Sequence, residues 1–217
     1  MAGITTAMLT SFKSDLLSGI HRFNQSRTFT ATGTSTQTWT AVSALTGLAV
    51  GCFLSGTNVA AGTRVSDFLS STSIFVSKAS TGALGTVTTV GDSFKIALIK
   101  VSPAGTYNAA STNYTDITGN SDEVSGTGYT AGGTALTNVD PTTSGTTAFI
   151  DFSPDPSWTT ATFSTTGCML YNTTQNGPVA TRGLSVHDFG GTQTVSAGTF
   201  TAVMPTPDLN NAIIRIA

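Results

Sequence analysis

Few residues in this chain have types and spacing that could do chemistry. His187 and Asp188 are an adjacent histidine–carboxylate pair, the raw material of general acid–base catalysis. Neighbours on a strand point to opposite faces, so the two side chains do not form a dyad. A hydrolytic triad would also want a G-x-S-x-G elbow, and the chain has none. The acids Asp151, Asp155 and Asp188 could converge as a carboxylate pair for glycoside hydrolysis. Asp122 and Glu123 could join backbone carbonyls around Ca²⁺. Neither set has a diagnostic spacing, and acids that cap turns are the simpler reading. Gly126-Thr127-Gly128 lacks the third glycine of a dinucleotide fingerprint, since Ala131 stands in its place. Cys52 and Cys168 have no metal-type spacing and read as buried free thiols rather than a disulfide. Trp39 and Trp158 fall in different candidate domains and make no common sugar platform. The reading is a non-enzyme without catalytic residues, metal or cofactor.

The elements that would position these residues are mostly strands. Met8, Phe12, Leu16, Ile20 and Phe23 recur at helical spacing, which predicts one helix over 5–23 with Thr5 or Thr6 as N-cap. Gly19 is the weak point of its last turn. His21 lies beside this stripe and reads as a surface or interface residue. From residue 24 to 92 the chain alternates short apolar runs with Gly, Thr and Ser, and residues 63–68 and 74–77 read as a hairpin. Residues 134–139 read as a strand, and residues 106–120 as a polar loop. Residues 146–152, 158–163, 167–171, 184–189, 199–204 and 212–216 follow as further strands, with Gly190-Gly191 closing one of them. The fold class expected is all-β, a β-sandwich with one N-terminal helix, and a jelly roll is one way to connect it.

Composition narrows the function classes. Of 217 residues only 9% are charged, and the net charge is −2. Ordinary globular chains carry about 25% charge. No basic patch is available to neutralise many phosphates, which argues against nucleic acid. No run approaches the ~18 apolar residues of a membrane span. The start lacks the basic region of a secretory signal, so the sequence predicts synthesis in a cytoplasm without export by the general pathway. Apolar residues make up 39% in short alternating runs, which favours order over low-complexity disorder. A polar but uncharged surface suits a protein that ends up in an assembly.

The run Asp122-Glu123-Val124-Ser125-Gly126-Thr127-Gly128-Tyr129-Thr130-Ala131-Gly132-Gly133 carries the chain's one glutamate and closely spaced glycines around a tyrosine. Glycine reaches φ > 0 freely, so the run can fold back sharply, with Tyr129 fixing it to something apolar. From Glu123 onward it resembles the most typical segment of a family of small structural proteins of tailed bacteriophages and prophages. The opening Met1-Ala2-Gly3-Ile4-Thr5-Thr6-Ala7-Met8, with Ser11-Phe12-Lys13 and Leu16-Leu17, resembles that family's start. The ending Asn211-Ala212-Ile213-Ile214-Arg215-Ile216-Ala217 resembles its end.

In that family the helix leads almost directly into a Phe-Lys-x-Ala-Leu strand, here Phe94-Lys95-Ile96-Ala97-Leu98. The comparison implies a body of residues 1–23 plus 93–217 and an inserted small β domain at 24–92. Within the insert, Gly47-Leu48-Ala49-Val50-Gly51, Ser55-Gly56-Thr57 and Ala61-Gly62-Thr63 resemble a β-module of phage tail and surface proteins. Cys52, Phe53 and Val59-Ala60 depart from that module's pattern.

The resemblance implies a virion protein, foremost a capsid decoration or cement protein on the outer capsid surface, and a tail- or fibre-associated host-binding protein as the alternative. Its partners would be the major capsid protein and copies of itself in a homotrimer, with weak host-surface or glycan contact through the insert. Met8, Phe12, Leu16, Ile20, Tyr129, Ile214 and Ile216 are the interface candidates.

Overall fold

The computed structural model describes residues 3–174 and 180–217. Met1 and Ala2, which open the family resemblance, lie outside the described residues. The chain divides into two compact units, Met1–His21 with Asp92–Ala217, and Arg22–Gly91.

The first unit begins with two short strands, β1 (Gly3–Ile4) and β2 (Ala7–Met8), and a helix, α1 (Thr10–Leu17). The helix is shorter than the expected 5–23. Ala7 and Met8 are taken into a sheet, opposite Val186 and Ser185. At the other end Gly19 adopts φ +68°. Its N–H bonds the Leu16 carbonyl, and the next N–H, of Ile20, bonds that of Asp15. This is a Schellman stop, which a left-handed glycine makes cheap.

Unit two holds β3 (Thr28–Thr30), β4 (Thr38–Trp39), β5 (Leu54–Gly56), β6 (Val65–Ser70), β7 (Ser73–Val76) and β8 (Thr86–Thr89). They form two three-stranded sheets, ordered β3-β8-β5 and β4-β7-β6. Phe29, Leu54 and Val87 from one sheet and Trp39, Val65, Ile74 and Val76 from the other share one buried core. Alternation in each strand supplies the inward residues, so this unit is a small β-sandwich. The expected hairpin is β6–β7.

The first unit resumes with β9 (Phe94–Lys100), β10 (Thr106–Tyr107), α2 (Thr115–Gly119), β11 (Thr134–Leu136), β12 (Thr142–Ser144) and β13 (Thr147–Ile150). It ends with β14 (Ser157–Asn172), β15 (Gly183–Thr201) and β16 (Ile214–Ile216). The main sheet has the order β11-β9-β14-β15-β2, with smaller sheets β12-β13-β16 and β1-β10. In β9 the consecutive residues Ile96, Ala97, Leu98 and Ile99 are all buried, because both faces of this central strand are covered. Phe152, just past β13, packs on Phe94 at 5.4 Å and ties the small sheet to the large one. The fold class is all-β, and the body is sandwich-like. Among the described residues no helix is long and apolar enough to cross a membrane.

Other expectations also need correction. Residues 158–163 and 167–171 are one strand, β14, rather than a pair. Gly190-Gly191 does not close a strand, because β15 runs through it. Residues 106–120 are not a plain loop: they hold β10 and α2, with Tyr107 and Ile117 fully buried.

Candidate functional site

The residues that could do chemistry do not come together. His187 is half-buried and its Nε2 lies 2.9 Å from the Ser185 hydroxyl. Asp188 is exposed and accepts the Gly190 N–H. Burial lowers the pKa of His187. Asp151 is buried and accepts the Phe152 N–H at 2.8 Å and the Ile213 N–H at 3.3 Å. Burial outweighs these bonds and raises its pKa. Asp155 accepts the Met204 N–H. These acids cap backbone, as turn acids do. Among the described residues no group of three His, Cys, Asp or Glu could hold a metal ion. Cys52 and Cys168 are both free, and burial pushes the Cys168 thiol up to about 12.

The Asp122–Gly133 run is the organised feature. Asp122 is fully buried and accepts from the Tyr107 hydroxyl (2.6 Å), the Gly105 N–H (2.7 Å) and the Ala104 N–H (2.9 Å). The Lys100 ammonium is 3.1 Å away. Burial alone would raise its pKa, but the Tyr107, backbone and Lys100 partners win and hold it at about 2. The neighbouring Glu123 carboxylate accepts from Tyr114 (2.5 Å), Tyr129 (2.8 Å) and the Gly132 N–H (2.6 Å). Tyr129 also accepts the Leu98 N–H at 3.0 Å. Its ring stacks 6.2 Å from Trp158 and meets Phe163 edge-on at 5.9 Å. Tyr171 donates to the Gly132 carbonyl and stacks on Tyr114 at 4.6 Å. Burial, with Glu123 beside them, raises the pKa of Tyr114 and Tyr129. Tyr171 is pushed up to about 12 by the same two causes.

The glycines let this run lie directly on backbone. Gly128 (φ +79°) passes over β14, and a Cβ there would sit 2.9 Å from the Ala161 Cα. Gly133 (φ +68°) passes over β9, and a Cβ there would overlap the Ile96 carbonyl. The run is therefore a clip across two neighbouring strands. Its carboxylates are engaged with donors of the chain itself.

A second polar cluster sits at the root of α1. The Arg182 guanidinium pairs with Asp15 at 2.6 Å. The Asn172 amide bonds both His21 Nδ1 (2.9 Å) and Asp92 Oδ2 (2.7 Å). Those are the residues at which this unit breaks off and resumes. His21 is thus a buried residue of the body, not a surface one. Burial lowers its pKa against the pull of Asp15 and Asp92.

The interface candidates divide. Phe12 and Ile214 are buried within the chain and leave almost no surface for a neighbour. Tyr129 is half-buried and committed to the clip. Met8, Leu16 and Ile20 are half-buried. Only Ile216, 56% exposed, presents most of its surface. Sequence reasoning missed better candidates. Leu17 is 91% exposed and Val203 79%. It also missed the outer edge of β15. Beyond Val186 no strand among the described residues pairs with that side. The signal was present in the sequence: no charged residue occurs from Phe189 to Pro207. A cleft of about 500 Å³, lined in part by His187, Phe189, Met204, Ala212 and Ile213, adjoins it.

No protein family, curated protein or solved structure matches this chain.

Proposed function

We propose that this chain is a non-enzymatic structural protein of a tailed-phage virion, and within that class a capsid decoration or cement protein. The run that carries the family resemblance, Glu123 to Gly133, is also the run that clips β9 to β14. The observation that carries the assembly reading is the β14–β15 arm. Sixteen- and nineteen-residue strands form a long ribbon whose outer side, past Asp188, is neutral, largely exposed and without a partner strand among the described residues. Such a surface can be contacted without desolvating charge. The protein would bind the assembled lattice of the major capsid protein better than its free subunits, and so stabilise the shell by linkage. It would sit on the outer capsid surface with copies of itself, as a homotrimer in the family it resembles.

A tail- or fibre-associated role is the second reading, and one observation favours it. The unit Arg22–Gly91 holds Arg22, Arg27, Arg64 and Lys78 against Asp67 alone, a net charge of +3 in a chain of −2. Arg22 and Arg64 both lie over the Phe53 ring, at 4.5 and 3.9 Å. A cationic insert suits weak contact with an anionic host surface or glycan.

Particle stability tests the first reading. Virions assembled without this protein should release DNA at lower temperature than complemented virions. Equal thermal stability of the two populations would remove the cement role.

A further inference from the structure

We propose that His21 and Asn172 form an acid-sensitive latch that ties together His21 and Asp92, the two points at which the body breaks off and resumes around the Arg22–Gly91 unit. This is a property of the chain and holds whatever particle it serves.

The hydrogen bonds fix which nitrogen of His21 carries its hydrogen. Asn172 ends β14, and its partners orient its amide. Its Oδ1 accepts the Thr174 N–H at 2.7 Å, so Nδ2 is the donor end. That Nδ2 donates to Asp92 Oδ2 at 2.7 Å and lies 2.9 Å from His21 Nδ1. An amide hydrogen aimed at Nδ1 makes that ring nitrogen an acceptor. The neutral imidazole therefore carries its hydrogen on Nε2. Nε2 faces Asp15 Oδ2 at 3.7 Å.

A second proton has one place to go, which is Nδ1. There it meets the Asn172 N–H, donor against donor. Turning the amide over gives no relief, because Oδ1 would then face the Asp92 carboxylate and Nδ2 the Thr174 N–H. Protonation thus breaks the bond that joins His21, through Asn172, to Asp92.

The surroundings resist that proton. The His21 side chain is fully buried. Its ring lies 5.0 Å from Phe12 of α1 and 6.5 Å from Phe94 of β9. The charged groups that face it are Asp15 on α1, Asp92 before β9 and Arg182 before β15. The carboxylates favour a charged ring, but the Asp15 charge is already engaged by Arg182 at 2.6 Å. Burial outweighs them and lowers the pKa. The closed latch accordingly binds fewer protons than the open one. It is held above the ordinary histidine value of 6.5 and released as pH falls below it. The release is local. Beside Asn172, the Thr173 N–H bonds the Ser93 carbonyl and the Ser93 N–H bonds the Thr174 hydroxyl, both at 2.8 Å. These bonds loosen with it.

Deuterium exchange of the full chain at pH 7, 6 and 5 tests this. Corrected for intrinsic rates, protection of the Ser93, Thr173 and Thr174 amides should fall about tenfold or more between pH 7 and pH 5. Protection of residues 96–99 and 168–170, further along the same strand pair, should hold. The chain has two histidines, and burial lowers the pKa of His187 as well. His187→Gln should nevertheless keep the response. Asp151 works in the opposite direction, because its raised pKa makes the fold take up a proton as pH falls. His21→Gln offers Asn172 an acceptor that does not titrate and should flatten the response. Equal protection at pH 7 and pH 5 would overturn the proposal. So would a response that survives His21→Gln or disappears in His187→Gln. Should His21→Gln fail to fold, the imidazole nitrogen shifts of the unmodified chain at pH 7 decide the matter. A neutral His21 ring with its hydrogen on Nε2 is expected, and a charged ring or one with its hydrogen on Nδ1 overturns the latch.

Discussion

Asp122 shows how single residues hold this fold. Its carboxylate is fully buried yet satisfied by Tyr107, two backbone N–H groups and Lys100. Its pKa in the fold, about 2, lies below its ordinary 3.8. The ionised form is therefore favoured by folding. That stability is present above the ordinary carboxylate pKa and is lost as pH falls through about 4 to 2. Asp122→Asn should cost about 1–3 kcal/mol at neutral pH, because its amide cannot accept all of these bonds. The same variant should flatten the acid limb of the stability curve. Chemical denaturation of both proteins between pH 2 and 7 measures this. An unchanged acid limb in Asp122→Asn would mean that another carboxylate sets it. The sequence marked Asp122 and Glu123 as loop acids that cap turns rather than as a cation site, but not which groups they bind. Their partners come from Tyr107, Tyr114 and backbone far along the chain, and no local spacing announces those.

At the scale of elements, the glycine run and the two long strands carry the argument. Gly133→Ala forces a Cβ into the Ile96 carbonyl at a positive φ. It should destabilise the protein by about 2–4 kcal/mol, through strain at φ > 0 and displacement of β9. Thermal unfolding reads this directly, and an unchanged Tm would show that the run does not lie on β9. Strand existence was legible from alternation, as in residues 146–152, whereas residues 94–101 were marked as a strand by the family resemblance. Strand length was not legible. Residues 158–163 and 167–171 read as two strands, with the polar Ser164, Thr165 and Thr166 left between them. In the fold the Thr165 and Thr166 hydroxyls bond the carbonyls of Ile99 (2.7 Å) and Lys100 (3.0 Å), and Ser164 meets Thr194 across the ribbon. A register shift between Thr165 and Gly167 absorbs the irregularity. Gly190 and Gly191 likewise mark a distortion inside β15, not its end. The helix was read too long because an apolar stripe continues through residues that a sheet and a Schellman stop claim.

For the molecule as a whole, the all-β class followed from threonine, serine and glycine and from short alternating apolar runs. The candidate site did not. A search for catalytic or apolar interface residues finds side chains, whereas the open surface here is a neutral backbone edge that only strand order reveals. The absence of charge from Phe189 to Pro207 was its one trace in the sequence. The insert's basic balance was equally visible, but gained meaning only once Arg22–Gly91 stood apart as a unit. The proposed role is that of a structural component of the capsid surface. The protein's copy number in purified particles, measured against the major capsid protein by quantitative mass spectrometry, tests that role most directly. The account predicts on the order of hundreds of copies, in fixed proportion to the capsid protein, as a repeating surface component requires. A few copies to a few tens would place the protein on the tail, and absence from the particle would contradict the virion role altogether.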